Sequence, residues 1–121
     1  MITNQEIFDR VVAHALKQRA RSISETGNCR YRGPDGTKCF VGLFINDEHY
    51  TRMLEGRTLG YVKIRAALEA SGFIPADHTG WDLLADLQHM HDFSAPNDWA
   101  LHFARRAHKY GLRYDPTASS I

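Results

Sequence analysis

Residues 29–45 read CRYRGPDGTKCFVGLFI, and this stretch decides how the rest of the chain is expected to pack. It contains both cysteines of the chain, its clearest turn signal, a cluster of cations and its longest apolar run. The turn signal is GPDG at residues 33–36, where Pro34 presets the first central position and Gly36 can adopt the left-handed conformation. Such a loop typically closes a β-hairpin with a bulge at the glycine, so we predict a hairpin here.

The register of this hairpin separates apolar from basic side chains, because side chains alternate between the two faces of a strand. The bulged register sets Tyr31 opposite Cys39. The inward face then contains Cys29, Tyr31, Cys39 and Val41, and the outward face contains Arg30, Arg32 and Lys38. Residues 40–45 are too short and too uniformly apolar for periodicity to assign, so a continued strand and a short buried helix both stay open.

Four helices are predicted around the hairpin. A capping box formed by Thr3 and Glu6 opens the first, which is expected to end near Ile23. The others are expected over residues 59–71, from Thr79 to the break at residues 94–97, and from Asn97 to Gly111. The inward side chains of the third are Leu83, Leu84, Leu87, Met90 and His91. The predicted fold class is therefore α+β, mainly α, with about four helices packed against one small hairpin. We predict a single domain over residues 1–116 and a frayed tail over residues 117–121.

Length and composition are those of one small globular domain. The 121 residues are 43% hydrophobic and 24% charged, and no apolar run approaches the ~20 residues of a membrane span. Two cysteines without a recognisable secretory signal are typical of a reducing compartment, so we expect a cytoplasmic protein, in the host cell if a phage encodes it. The net charge of +1 combines basic ends with an acidic middle, and internal ion pairing is the simplest explanation of this division.

The run from Cys29 to Tyr50 resembles a group of small proteins encoded by bacteriophages, prophages and their bacterial hosts, for which no activity is assigned. The shared positions are Cys29, Tyr31, Arg32, Asp35, Gly36, Lys38, Cys39, Val41, Gly42, Ile45, Asp47 and Tyr50. Phe40 and Asn46 depart from the pattern, where a small residue and a proline are expected. The resemblance implies a small accessory protein of a mobile element, and such proteins often bind and disable a host or anti-phage defence component.

A cysteine hydrolase is the main catalytic alternative. If a helix follows Cys39, its thiol lies at a helix N-terminus beside Lys38, and both features favour the thiolate. His91 would then act as the base, with Asp92 behind it. The adjacent Phe40 favours the other interpretation, a buried and inert thiol. We therefore favour a protein that is not an enzyme.

A zinc site is the metal alternative. Cys29, Cys39, His89 and His91 supply the four ligands of tetrahedral zinc. Their spacing fits no standard zinc pattern, and two residues separated by one position on a helix diverge. We therefore predict no metal and no cofactor.

Protein binding is the function that requires no specific sequence motif. The predicted contact residues are Arg30, Tyr31, Arg32 and Lys38 on the hairpin, together with an acidic outer face at Asp82, Asp86 and Asp92. The favoured partner is a host or defence protein, and a homodimer is also compatible. A nucleic acid or nucleotide bound to the basic hairpin face is a further alternative, although the near-neutral charge disfavours it. No membrane partner is expected.

Overall fold

The computed structural model describes residues 1–115, and the predicted tail over residues 117–121 lies outside them. The fold consists of four α-helices joined by long irregular segments. The helices are α1 (Asn4–Gln18), α2 (Val62–Ala70), α3 (Gly80–Phe93) and α4 (Trp99–Tyr110). Short 3₁₀ turns lie at Pro34–Gly36, Gly42–Phe44, Asp47–His49, Arg52–Leu54 and Pro96–Asp98. Helix α3 is central, because both α1 and α4 pack against it.

The predicted β-hairpin is wrong. The chain is mainly α-helical, and the described residues contain isolated bridges but no hairpin or sheet. The turn itself forms, since the Gly33 amide donates to the Thr37 carbonyl over 2.9 Å. Its two arms do not pair with each other. The bridge that does form is antiparallel and joins Ile23 to Cys29.

Side chains from distant parts of the chain take the hydrogen bonds that the hairpin needs. The carboxylate of Glu55 accepts the amide protons of Tyr31 and Arg32 over 2.8 and 3.1 Å. On the other arm, the Lys38 amide donates to Gln18 Oε1 over 2.8 Å, and the Lys38 carbonyl accepts from Gln18 Nε2 over 2.9 Å. Because backbone groups must be paired when buried, these bonds satisfy both arms without a ladder.

Of the two alternatives for the apolar run over residues 40–45, the strand does not form, and the run instead contains a short 3₁₀ helix buried in the core. Phe40 lies at the centre of an aromatic cluster, with its ring centroid 5.0 Å from His91, 5.1 Å from Trp99 and 6.0 Å from Phe103. The core therefore forms where this run meets the faces of α3 and α4. The inward side chains predicted for α3 are all buried.

Helix α1 has the predicted capping box, in which Thr3 and Glu6 exchange hydrogen bonds. It ends at Gln18, earlier than predicted, because Arg19 adopts the left-handed conformation with φ of 54°. The following segment then runs along α3, where Arg21 donates to the carbonyls of His91 and Asp92 over 3.0 and 2.5 Å. A cation at these carbonyls also complements the dipole at the end of α3.

The start of α3 at Gly80 agrees with the prediction, but Thr79 does not cap it through its side chain. Its hydroxyl instead bonds to Asp77 and to the side chain of Asn4, each within 2.9 Å. Helices α2 and α4 begin at Val62 and Trp99, a few residues after the predicted starts. None of the helices in the described part of the chain has the length and apolar character needed to cross a bilayer.

Candidate functional site

The proposed nucleophile Cys39 is fully buried. Its Sγ accepts the Gly42 amide proton over 3.3 Å at the start of the 3₁₀ turn, so the thiol serves as a cap for this turn. The cysteine beside His91 and Asp92 is instead Cys29, which is partly exposed. The structure therefore brings together the predicted histidine and aspartate, but with the other cysteine.

Cys29, His91 and Asp92 form a polar cluster in which one potential ligand atom of each lies within 4.8 Å of the others. His91 Nδ1 lies 2.9 Å from Asp92 Oδ1. Gln88, one turn earlier on α3, donates from Nε2 to Asp92 Oδ1 over 2.8 Å and to Cys29 Sγ over 3.1 Å. We call these four residues, Cys29, Gln88, His91 and Asp92, the Asp92 network.

Two backbone amides determine the direction of the hydrogen bonds in this network. The Val41 N–H points at Gln88 Oε1 over 2.9 Å, so the amide nitrogen of Gln88 must face Cys29 and Asp92. The Ser22 N–H points at His91 Nε2 over 3.0 Å, so Nε2 must be the acceptor nitrogen. The remaining ring proton then lies on Nδ1 and is donated to Asp92. Protons from both Gln88 and His91 therefore converge on one carboxylate.

The charge states follow from these contacts. Burial opposes ionisation of Asp92, but the hydrogen bonds from His91, Cys29 and Gln88 outweigh it and lower the pKa of this carboxyl group. The neighbouring Cys39 thiol and burial together raise the pKa of Cys29 far above that of a free thiol. Cys29 is therefore a thiol at neutral pH, whereas Asp92 is an anion.

His91 is subject to opposing effects. Burial lowers the pKa of His91, and its contacts with Asp92 and Cys29 outweigh burial and raise it. The Ser22 amide opposes that rise, because a second ring proton must occupy Nε2, where it would face the Ser22 N–H. We assign His91 the neutral ring with its proton on Nδ1.

This arrangement is unsuited to cysteine catalysis. A general base needs a free lone pair within hydrogen-bonding reach of the thiol. The only in-plane lone pair of the neutral His91 ring accepts the Ser22 amide proton, so it cannot take a proton from a cysteine thiol. The raised pKa of Cys29 keeps its thiol protonated, and the full burial of Cys39 keeps that side chain out of reach of a substrate.

The same tautomer argues against a metal at Cys29, His91 and Asp92. A metal bound to Nδ1 requires the ring proton on Nε2, where it would meet the Ser22 N–H. The four ligands considered from the sequence do not assemble either. His89 lies on the exposed side of α3 with its ring 4.6 Å from that of Phe93.

The predicted contact residues have largely structural roles. Tyr31 is buried, and its hydroxyl donates to the Arg57 carbonyl. The Arg32 guanidinium donates to the carbonyls of Gly42 and Ile45 over 2.8 and 2.6 Å and pairs with Asp47 at 3.0 Å. Arg32 therefore holds the 3₁₀ turn in place and is not free to bind a partner.

The other two predicted cations lie near carboxylates. Arg30 Nε is 3.6 Å from Glu55 Oε2, and Lys38 Nζ is 4.0 Å from Asp47 Oδ1. Asp86 of the predicted acidic face pairs with Arg106 at 3.2 Å and with Lys109 at 2.9 Å. These pairs join acidic residues of the middle of the chain to its basic ends, as internal charge pairing predicts.

A polar cleft lies above the Asp92 network. It has a volume of about 730 Å³ and is lined by residues of the segments 24–31 and 55–58 and by Gln88 and Asp92 of α3. Among the residues that line it are Ser24, Asn28, Cys29, Arg30, Thr58 and Asp92. Sequence reasoning missed this cleft, because the three segments that form it are far apart in the sequence and share no motif. Glu55 and Gln88 were missed for the same reason.

Comparison of the chain with protein-family models, with curated proteins and with solved structures finds no match to any of them.

Proposed function

We propose that this protein acts by binding a partner protein in the polar cleft, and that it does not act as an enzyme. The observation that carries the proposal is the cleft itself, about 730 Å³ in volume and lined by hydroxyl, amide and charged groups. Its volume lies within the range of about 300–1,000 Å³ that ligand-binding pockets occupy. The chemistry at its floor supports recognition, because the groups that would catalyse a reaction are bound to each other.

A nucleotide is a weaker candidate for this cleft. Bases are usually held by stacking on an aromatic face, which contributes about 1–3 kcal/mol per base. The one aromatic side chain among the lining residues of the cleft is Tyr31, and it is buried. Arg32, the most favourable phosphate ligand of the sequence-based hypothesis, is occupied by backbone carbonyls. A peptide segment requires neither feature.

The biological setting of the proposal comes from the resemblance of residues 29–50 to small phage and prophage proteins. We propose an accessory protein that binds a host or anti-phage defence protein in the cytoplasm of the host cell. The two unpaired cysteines agree with a reducing compartment. This role needs an available surface and a stable fold, and it needs no reactive group.

Paired capture experiments test the proposal. Thr58 is exposed and lines the cleft, so Thr58→Trp introduces a bulky side chain there. Thr51 is also exposed and is not among the cleft-lining residues, so Thr51→Trp is the matched control. From a host lysate, the wild-type protein and Thr51→Trp should retain the same stoichiometric partner, and Thr58→Trp should lose it.

Three results would contradict the proposal. The first is the absence of any stoichiometric partner. The second is equal capture by both tryptophan variants. The third is a partner that proves to be a second copy of this chain or a nucleic acid.

A further inference from the structure

We propose that Asp92 is the specificity-determining residue of the polar cleft, and that it binds a cationic side chain, arginine or lysine, of the partner protein. This inference rests on the proposed binding function and names the group that the cleft selects.

The hydrogen bonds that Gln88 and His91 make to Asp92 converge on one oxygen of its carboxylate, which the Cys29 thiol also contacts. Oδ1 accepts protons from both Gln88 and His91. Within residues 1–115, no N–H or O–H group of the protein forms a hydrogen bond to Oδ2. A carboxylate offers about four acceptor sites, so this group retains capacity for further donors. Its side chain is 29% exposed and lines the cleft.

Asp92 differs from the other partly buried carboxylates in its ion pairs. Glu55 and Asp86 have side chains that are 13% and 18% exposed, and each has an arginine within 4.0 Å. Asp92 has only the His91 ring, which we assign as neutral. In the described part of the chain, no lysine or arginine pairs with it. A partly desolvated anion without a cationic partner favours a cation supplied from outside.

The arginine that contacts the backbone of Asp92, and the two arginines that line the cleft, are engaged elsewhere. Arg21 donates to the backbone carbonyls of His91 and Asp92 and not to the carboxylate. Arg30 lies beside Glu55 at 3.6 Å, and the Arg57 guanidinium lies over the Tyr61 ring, 4.8 Å from its centroid. Among the described residues, these contacts leave Asp92 as the carboxylate of the cleft that no lysine or arginine pairs with.

The carboxylate is also rigidly oriented. The Gln88 and His91 side chains that hold it are themselves fixed by the amides of Val41 and Ser22. A ligand therefore need not order the carboxylate when it binds, which reduces the entropic cost of association. Selective recognition of a guanidinium or ammonium group requires a carboxylate whose orientation is fixed in this way.

The test compares a small cationic probe with an uncharged analogue of the same shape. N-acetyl-arginine amide and N-acetyl-citrulline amide have nearly the same shape, but only the first is charged. Each is titrated at low salt into the ¹⁵N-labelled full-length chain, and amide shifts are followed by NMR. We expect the arginine probe to shift cleft residues such as Cys29 and Thr58 and to bind about tenfold more tightly than the citrulline probe, the lower end expected for a charged hydrogen bond. Added salt should reduce the difference.

Asp92→Asn should abolish the preference, because it keeps an oxygen that can accept from Gln88 and His91 but removes the charge. Asp82→Asn, an exposed position on the same helix, should retain it. Cooperative thermal unfolding of both variants, well above the temperature of the titration, establishes that they remain folded. Equal binding of the two probes, no binding of either, or a preference that survives Asp92→Asn would overturn the inference. If Thr58→Trp still loses the partner in those cases, the cleft binds through another group and only this inference fails.

Discussion

The donor and acceptor roles of Gln88 in the Asp92 network predict how stability responds to the substitution Gln88→Glu. In the wild-type protein, Gln88 accepts from the Val41 amide and donates to Asp92 Oδ1 over 2.8 Å. The introduced carboxyl group can still accept from Val41, but when ionised it faces Asp92 as a second anion at that distance. The change removes a hydrogen bond to a charged group, about 1.5–3 kcal/mol, and adds like-charge repulsion.

The free energy of unfolding should therefore fall by about 3–5 kcal/mol near neutral pH, the sum of the lost bond and the repulsion. The introduced group has a raised pKa in the folded state, because Asp92 disfavours its charge, whereas its pKa in the unfolded chain is about 4.3. The folded state then binds the extra proton first, so stability relative to the wild type should rise as the pH falls towards about 4.3. The slope should approach ~1.4 kcal/mol per pH unit.

Urea unfolding, followed by the fluorescence of Trp81 and Trp99, measures this response at pH values from about 7 to about 5. Gln88→Met is the control, because it removes the same hydrogen bonds without adding a charge. Its destabilisation should not depend on pH over this range. If Gln88→Glu is as stable as the wild type at neutral pH, or if its destabilisation is the same at both pH values, the assigned direction of the network is wrong.

Three further predictions follow from the site. Arg32→Ala should lower the free energy of unfolding, measured in urea, by about 2–3 kcal/mol, because two partly buried carbonyls lose their hydrogen-bond donor. Arg30→Ala should lower it by less than about 1 kcal/mol. Equal losses would contradict the assigned roles. In a thiol-labelling titration, Cys39 should stay unlabelled in the native state, and Cys29 should react with a midpoint above that of a free thiol; a lower midpoint would restore the catalytic hypothesis. Because the pKa of Asp92 is lowered on folding, its contribution to stability should be present above about pH 4 and lost as the pH falls through its folded pKa; acid unfolding of Asp92→Asn should lack this component.

The helices were predictable because their signals are local. Periodic apolar positions and the capping box at Thr3 and Glu6 lie within a few residues of each other, and the structure confirms them. The hairpin was predicted from an equally local signal at residues 33–36, and the turn forms there. The arms failed to pair because Gln18 and Glu55, each about twenty residues away, supply their hydrogen bonds. No local pattern in the sequence reveals such a competition.

The site shows the same division between local and distant information. The inward position of His91 and its neighbour Asp92 follow from the periodicity of α3. Which cysteine joins them depends on the bridge between Ile23 and Cys29, which forms only after α1 ends early. The roles of the Ser22 and Val41 amides, and therefore the tautomer of His91, depend on backbone placement and leave no trace in residue identity.

The protonation of the His91 ring decides whether the Asp92 network is a fixed recognition element. In such an element Nδ1 carries the proton and Nε2 accepts from the Ser22 amide. Side-chain ¹⁵N NMR near neutral pH distinguishes the two ring nitrogens. The structure predicts a protonated Nδ1, an unprotonated Nε2 and a coupling across the hydrogen bond from Ser22. A proton on Nε2, or a ring that carries protons on both nitrogens at neutral pH, would contradict the account and reopen catalysis and metal binding at this site.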